Sequence, residues 1–228
     1  MGLVNYHDTT FSPAGLWNLN NDLTDASGNG FTLTIGAGTE RYADISPGVR
    51  GLVLDGSTYA KLTSFNSTLG ITGDLTIELL LNPGINTQPS VMVAHVGATS
   101  GGTSADNYLY QLQVSSFPLQ KFSWENGTRS SQAYNIFDLP PQSGLFHWAV
   151  TRASNVVQFY LNGRAIGAAS SALGAPAGGG TGTFKLGGDS TTEGAPSILA
   201  SVKVIASALS AANVKAEYIK TLGGLYCT

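Results

Sequence analysis

Apolar and polar residues alternate with a period of two along most of this chain. The alternation is clearest in residues 75–82, and it recurs in residues 110–114, 146–150, 157–161 and 201–206. Successive side chains of a β-strand point to opposite faces, so this pattern predicts strands with one buried face and one polar face. Counting shorter segments of the same kind, we expect at least nine strands.

Three short segments between these strands predict hairpin turns, one of them Asn126-Gly127 after Phe122 and Trp124. Ala153-Ser154-Asn155 separates two of the alternating segments, and Asn162-Gly163 follows the second of them. A tight hairpin turn needs positive φ at both central residues, a conformation that Asn-Gly adopts at low cost. The sequence therefore predicts an all-β fold of two packed antiparallel sheets.

A helix is predicted near the C-terminus, at residues 211–222. Ser210 is a suitable N-cap, and Gly223 is expected to end the helix. We expect the helix to cover an open end of the sandwich. The chain is expected to form one domain, residues 15–228, after an N-terminal arm, residues 1–14, whose apolar residues contact a neighbouring subunit.

Two stretches, residues 97–107 and 167–180, show neither the strand nor the helix pattern. Both are rich in Gly, Ser, Thr and Ala, which lose much conformational entropy on ordering and offer little apolar area in return. We expect them to form mobile loops at the outward end of the sandwich.

Charged residues make up only 11% of the chain, and 11 Lys and Arg face 14 Asp and Glu, for a net charge of −3. This charge forms no basic field that could neutralise phosphates, so we expect no nucleic-acid partner. The apolar clusters are far shorter than the roughly 18 residues that span a bilayer, so we expect no membrane partner. The first residues also lack the pattern of a secretory signal peptide, and none is expected.

Carboxylate pairs suited to glycosidic bond cleavage are missing from the sequence pattern. The five glutamates are isolated from one another, and the three histidines show no metal-ligand spacing. Glu78 is interpreted as a solvated or hydrogen-bonded strand residue. We therefore expect no catalytic residues and no enzymatic activity.

Several segments, taken in order, resemble one known fold family. They are residues 25–30 (DASGNG), 51–59 (GLVLDGSTY), 75–78 (LTIE), 146–152 (FHWAVTR), 159–163 (FYLNG) and 208–214 (ALSAANV). Together they resemble the laminin-G-like, concanavalin A-like lectin/glucanase jelly roll, in its bacterial and phage variant. The resemblance implies a jelly-roll β-sandwich from about residue 15 to residue 218, in which His147 belongs to a motif of the fold.

The resemblance also suggests which ligands to consider. Many such domains hold calcium at a rim aspartate, and Asp55, Asp106 and Asp189 lie in or near turns. Because these acids are not clustered, we expect neither a metal nor another cofactor, with calcium as the alternative.

Sugar binding would need aromatic rings beside polar side chains. The best set is Tyr108, Trp124, Asp106 and Asn107. Trp124 alternates in phase with Phe122, so a place in the core is the competing interpretation for it. Trp17 and Trp148 lie in motifs of the fold and are predicted to be core residues.

The thinly charged composition leaves little repulsion between neighbouring copies. We predict a non-catalytic accessory protein of a bacteriophage particle, most simply capsid decoration, made in the host cytoplasm and located on the virion surface. Its partners would be other virion subunits in a multi-copy oligomer, together with cell-surface glycans. The alternative is a lectin-like adhesion module on a tail fibre or bacterial surface, and a glycosidase is the third hypothesis.

Overall fold

A computed structural model describes residues 11–63, 73–82, 91–97, 108–115, 121–125, 131–135, 144–172, 183–187 and 196–226. Within these residues the chain forms two antiparallel β-sheets and a C-terminal helix, α1 (Ala211–Tyr226). The predicted all-β, two-sheet fold is confirmed. None of the helices in this part of the chain is both long and apolar enough to span a membrane.

The strands are numbered in chain order. The eight-stranded sheet has the spatial order β13 (Arg164–Ile166), β12 (Val156–Leu161), β11 (Phe146–Ala153), β6 (Leu75–Asn82), β15 (Pro196–Ile205), β4 (Val49–Asp55) and β3 (Tyr42–Ser46), and β1 (Gly15–Asn18) pairs with β15. The seven-stranded sheet has the order β10 (Ser131–Asn135), β9 (Lys121–Glu125), β8 (Tyr108–Ser115), β7 (Val91–Gly97), β14 (Thr183–Leu186), β5 (Tyr59–Thr63) and β2 (Thr34–Ala37).

The main hydrophobic core lies between the two sheets. Trp17 of β1 stacks on Phe184 of β14, with ring centroids 5.4 Å apart. The Trp17 indole nitrogen donates a hydrogen bond to the Phe31 carbonyl at 2.7 Å, which satisfies its polar group inside the core. Trp17 and Trp148 are both buried, which confirms their prediction as core residues.

Two of the three predicted hairpin turns are present, and Asn126-Gly127 lies outside the described residues. Ser154 and Asn155 have φ of 49° and 66° in the turn between β11 and β12. Asn162 and Gly163 have φ of 48° and 72° in the turn between β12 and β13. These positive values are the ones that a tight turn between right-twisted strands requires, so the turn chemistry was readable from the sequence.

The helix differs from its prediction in place and in length. It lies on the outer face of the eight-stranded sheet, where Leu222 packs with Leu80, and Val214 packs with Ala149 and Ile205. It continues past Gly223 to Tyr226 and does not end at Leu222. Because α1 covers this sheet, β6 is buried on both faces, whereas its alternation had predicted only one buried face.

The segment before β1 also contacts the sandwich. Phe11 packs against the cluster around Ile205 and Val214, and the Ala14 amide donates to the Val204 carbonyl at 2.8 Å. Residues 1–10 of the predicted arm lie outside the described residues. Of the two predicted loops, residues 98–107 and 173–180 also lie outside them, while Gly97 belongs to β7 and Ser170 exchanges hydrogen bonds with Val157.

Candidate functional site

Four ionisable side chains meet between the eight-stranded sheet and α1. Glu78 comes from β6, His147 from β11, Lys203 from β15 and Glu217 from α1. All four residues have 0% relative exposure. The strand register brings these side chains together. Glu78 is paired directly with Lys203 on one side and with Ala149 on the other. His147 precedes Ala149 by two residues and therefore lies on the same face of the sheet. We call this group the buried ionic cluster.

Lys203 is the centre of the buried ionic cluster. Its Nζ lies 2.5 Å from Glu217 Oε2 and 3.9 Å from Glu78 Oε2. His147 Nε2 lies 3.8 Å from Glu78 Oε1. Among the described residues, neither carboxylate oxygen of Glu78 and neither ring nitrogen of His147 has a hydrogen-bond partner.

The interpretation of Glu78 as a solvated or hydrogen-bonded strand residue is therefore wrong. The reason is the covering helix, since Glu78 points away from the main core, toward the face that the alternation had assigned to solvent. A signal was present in the sequence. Glu217 falls at helical spacing from Val214 and Thr221, on the buried face of α1, where a charged residue requires a partner.

Burial sets the protonation of the cluster. It raises the pKa of Glu78 to about 8, with Lys203 opposing the rise and Glu217 adding to it. Burial also lowers the pKa of His147 to about 3, and the nearby Lys203 charge lowers it further. At neutral pH, Glu78 is mainly protonated and His147 is neutral, so their 3.8 Å contact is not an ion pair.

The buried ionic cluster is closed to an oligosaccharide. Its side chains are fully covered by α1 and the sheet, so a glycosidic bond has no route to Glu78 or Glu217. In the native fold these acids are not placed to cleave a sugar chain.

The carboxylates of Asp25 and Asp55 accept hydrogen bonds from donors of the protein itself. Asp25 accepts hydrogen bonds from the amides of Leu16 (3.1 Å), Ser27 (2.9 Å) and Phe31 (3.0 Å). These bonds hold the pKa of Asp25 below its usual value, although burial acts in the opposite direction. Each carboxylate oxygen of Asp25 is engaged, so this turn is a hydrogen-bonded hub of the fold.

Asp55 is held in the same way. It accepts hydrogen bonds from the amides of Ser57 and Thr58 at 3.1 and 2.9 Å, and it pairs with Arg41 at 2.5 Å. Among the described residues, no group of three His, Cys, Asp or Glu could hold a metal ion. Asp106 and Asp189, the other calcium candidates, lie outside the described residues.

The predicted sugar-binding residues fall on two neighbouring strands of the seven-stranded sheet. Tyr108 begins β8 and pairs with Gly97, while Trp124 of β9 pairs with Leu112 of β8. Tyr108 and Leu112 are four positions apart on β8, or about 13 Å along a strand. Asp106 and Asn107 lie outside the described residues.

A row of polar residues crosses the whole seven-stranded sheet at one register level. Directly paired residues of neighbouring strands project from the same face of a sheet. We call this set the polar row. It consists of Thr34, Lys61, Lys185, His95, Gln111, Glu125 and Ser131, one residue from each strand.

The described members of the polar row lie on the face turned away from the core. Ala60 and Leu186, the chain neighbours of Lys61 and Lys185, are fully buried in the core, so the two lysines project from the opposite face. Lys185 Nζ lies 5.5 Å from the centroid of the Tyr59 ring. This arrangement places an aromatic ring and two cationic side chains together on the outer face, where Lys185 is buried, with 6% exposure, and Lys61 and Tyr59 are half-buried. No single segment of the sequence predicts this arrangement, because it depends on the pairing of strands that are distant along the chain.

Solved structures resemble this fold over most of its length. Domain 4 of AbnA, an extracellular arabinanase from Geobacillus stearothermophilus solved with arabinotriose, has a TM-score of 0.68 and 19% identity, and the match covers 91% of this chain and 98% of that one. A botulinum neurotoxin type C structure, described in terms of two ganglioside molecules, has a TM-score of 0.65 and 15% identity over 91% of this chain and 50% of that one.

A third similar structure is the binding domain of botulinum neurotoxin DC in complex with SialylT, with a TM-score of 0.64 and 15% identity over 91% of this chain. The chain spans about half the length of these toxin chains. At such identities the likeness establishes the fold alone. The comparison with curated protein sequences returned no match.

A family model covers most of the two sheets. It matches residues 54–215, which include β5 to β15 and the start of α1, together with the segments 146–152 and 159–163 that carried the resemblance in the sequence. The topology of two antiparallel sheets agrees with that match. The chain therefore belongs to the concanavalin A-like lectin/glucanase superfamily.

Proposed function

We propose that this chain is a non-catalytic carbohydrate-binding domain and that the sugar lies along the polar row. The observation that carries the proposal is the continuity of the polar row, which crosses all seven strands at a single register level. If another layer of the same domain covered the outer face of the seven-stranded sheet, that face would be expected to carry apolar residues. A polar row is suited to a ligand rich in hydroxyl groups.

The composition of the polar row suits sugar hydroxyls, which both donate and accept hydrogen bonds. Lysine donates, glutamate accepts, and the serine, threonine and glutamine side chains do both. The nearby ring of Tyr59 offers an apolar surface on which the face of a sugar ring can stack. Seven strands give a row roughly 29 Å long, from six spacings of about 4.8 Å, which suits an oligosaccharide.

The similar structures support the same function. One is an arabinanase domain solved with arabinotriose, one is a botulinum neurotoxin type C structure described with two ganglioside molecules, and one is a neurotoxin binding domain in complex with SialylT. The arabinanase domain is matched over almost its whole length. These proteins bind glycans by their descriptions, and we extend the general class of ligand to this chain.

Lack of catalysis is part of the proposal. It is supported by the sealed position of Glu78 and Glu217, whose carboxyl groups no glycosidic bond can reach in the native fold. Incubation with β-glucans, alginate, arabinan and host polysaccharide, followed by a reducing-end assay, should give no product. Hydrolysis that disappears in Glu78→Gln would contradict the proposal.

The binding test compares two charge-removing variants. Lys61→Gln removes one cation from the polar row, while Arg164→Gln removes one cation from an exposed position on β13 of the other sheet. A glycan array followed by titration calorimetry should show at least a tenfold weaker affinity for Lys61→Gln, equivalent to about 1.4 kcal/mol. Arg164→Gln should bind like the wild type. Equal binding by both variants, or no binding by the wild type, would exclude the polar row as the site.

A place on a phage particle is the second candidate, favoured by the thinly charged composition that lets copies pack closely. A sugar-binding domain displayed in many copies would gain avidity from weak single sites, so display and glycan binding are compatible. Mass spectrometry of purified virions tests the location. If the chain binds glycans but is absent from purified virions, the second candidate is excluded and the function is that of an adhesion module.

A further inference from the structure

The buried ionic cluster places one amine beside two carboxyl groups in a space without solvent access. Lys203 Nζ lies 2.5 Å from Glu217 Oε2 and 3.9 Å from Glu78 Oε2, and all three residues have 0% exposure. Direct pairing of Glu78 with Lys203 on adjacent strands fixes the first two groups, and α1 delivers the third. Amide formation needs a nucleophilic amine, a carboxyl carbon and a proton carrier, and the cluster holds all three.

We propose that Lys203 and Glu217 condense into an intramolecular isopeptide bond, with the carboxyl group of Glu78 carrying protons between the reacting atoms. The new bond joins Lys203 Nζ to Glu217 Cδ, and one Cδ–Oε bond of Glu217 breaks. Lys203 Nζ first passes one proton to Glu217 Oε2 across their 2.5 Å contact, which leaves a neutral amine to attack Cδ. In total, an ammonium and a carboxylate become one amide and one water molecule. Of the three protons on Nζ, one stays on the amide nitrogen and two leave with the oxygen, so no external reactant is consumed.

Glu78 is suited to carry the protons. The raised pKa of about 8 keeps its carboxyl group mainly protonated at neutral pH, so it can donate a proton to the departing oxygen and recover one from the nitrogen. Neither of its oxygens has a hydrogen-bond partner among the described residues, which leaves both available for this transfer. Glu78 starts and ends the reaction protonated.

Proximity and burial both favour the condensation. Groups held in reactive geometry behave as if at effective molarities on the order of 10⁵ M or more. A buried ion pair loses much of its attraction to desolvation, whereas the neutral amide carries no charge to desolvate. The cover of α1 also keeps water from the product, which protects the amide against hydrolysis.

The bond would tie α1 covalently to the eight-stranded sheet. Lys203 and Glu217 are 14 residues apart, so the link closes a loop that spans the end of β15 and the first half of α1. The helix could then not detach from the sheet even when its hydrophobic contacts open. This property is separate from sugar binding, because the cluster and the polar row lie on different sheets.

Mass spectrometry of the full-length chain under denaturing conditions tests the proposal. The expected mass is one water below that of the sequence. Trypsin should then fail to cut after Lys203, and peptide 186–215 should be found joined to peptide 216–220. A chain with the full sequence mass would overturn the proposal. So would a mass loss of one water that peptide mapping places at another position, for instance at Asp55-Gly56.

Two matched glutamate variants test the role of Glu78. Glu78→Gln preserves size but removes the carboxyl group, and it should keep the full sequence mass. Glu40→Gln, at an exposed glutamate that accepts a hydrogen bond from Tyr42, should lose water as the wild type does. If Glu78→Gln also forms the link, Glu78 is not the proton carrier. The wild-type measurement decides the existence of the bond even if Glu78→Gln does not fold.

Discussion

Gly163, in the turn between β12 and β13, lies directly against Tyr218 of α1. A Cβ placed on Gly163 would come within 2.9 Å of two side-chain atoms of Tyr218 and within 3.1 Å of the Lys215 Cα. The turn therefore provides more than a reversal of the chain, because the absence of a side chain at Gly163 lets the helix settle on the eight-stranded sheet. The position of α1 depends on this contact as well as on its apolar face.

We predict that Gly163→Ala destabilises the domain more than Gly48→Ala does. Both glycines have positive φ, 72° and 79°, so both variants strain the backbone by roughly 1–2 kcal/mol. Of these two glycines, only Gly163 has neighbours within 4 Å of an added Cβ, and overpacking there should cost roughly 1–3 kcal/mol more. Urea unfolding of the two variants measures the difference. Equal losses would show that α1 moves aside freely.

The second prediction concerns the pair that anchors α1. In the Glu78→Gln background, where Lys203 and Glu217 are expected to stay unlinked, Lys203→Met leaves Glu217 buried without its cation, and this should lower the free energy of unfolding by about 3–5 kcal/mol. Lys203→Met combined with Glu217→Leu removes both members and should recover most of that loss. A double-mutant cycle by urea unfolding provides the measurement. If the double variant is as unstable as the sum of the two single variants, the residues are not coupled.

Stability should depend on pH with a plateau between about 4.5 and 6.5. Glu78 titrates at about 8 when folded and near 4.5 when unfolded, so the stability it contributes is lost as pH rises through that window. His147 titrates at about 3 when folded and near 6.5 when unfolded, so its contribution is lost as pH falls through its own window. Between 4.5 and 6.5 the two slopes cancel.

Above pH 6.5 only the Glu78 slope remains, so stability should fall by about 1.4 kcal/mol per pH unit up to about pH 8. Thermal unfolding across pH 3 to 9 measures the profile. Glu78→Gln should remove the alkaline decline, and Glu40→Gln should keep it. Since burial is the main cause of both shifts, their direction does not depend on whether Lys203 and Glu217 form an ion pair or an amide.

The hydrophobic pattern of the sequence was enough to predict β6, β8, β11, β12 and both described hairpin turns, because strand period and turn chemistry are local properties. The position of α1 was not predictable in this way. Its apolar stripe fits an open end of the sandwich as well as a sheet face, and only the contacts of Val214 and Leu222 distinguish the two.

The sequence pattern predicted neither the buried ionic cluster nor the polar row, because both, like the position of α1, depend on contacts between distant parts of the chain. Glu78 and Lys203 are 125 residues apart along the chain and become neighbours only through the register of β6 with β15. Lys61, Lys185 and His95 likewise meet through long-range pairing of β5, β14 and β7. A single sequence contains the residue types of such sites but not the pairing that assembles them.

Asp25 should stabilise the fold without a metal. Asp25→Ala would leave the buried Leu16 amide without its acceptor and should lower the free energy of unfolding by roughly 1–3 kcal/mol. Because the carboxylates of Asp25 and Asp55 are already occupied by protein donors, calcium or a chelator should not shift the melting temperature. Differential scanning calorimetry with added calcium and with EDTA checks this. A rise with calcium would show that the chain binds the metal and would contradict this prediction.

The last prediction decides where on the seven-stranded sheet the sugar binds. Trp124 pairs with Leu112 and Gln132, at the same register level as Ala60 and Leu186, which are buried in the core. Lys61 belongs to the polar row at the adjacent level. If the polar row binds the sugar, Lys61→Gln should weaken glycan binding at an unchanged melting temperature, because it removes a ligand contact and leaves the core intact.

Trp124→Ala and Asp106→Ala test the sites predicted from the sequence. If Trp124 is a core residue, its truncation should lower stability by about 3–5 kcal/mol and affect binding only through unfolding. If it contacts sugar, binding should fall while the melting temperature stays near that of the wild type. Calorimetric titration and thermal unfolding on the same samples separate the two results. Loss of binding in Asp106→Ala alone, with Lys61→Gln unaffected, would move the site from the polar row to the rim of the sheet.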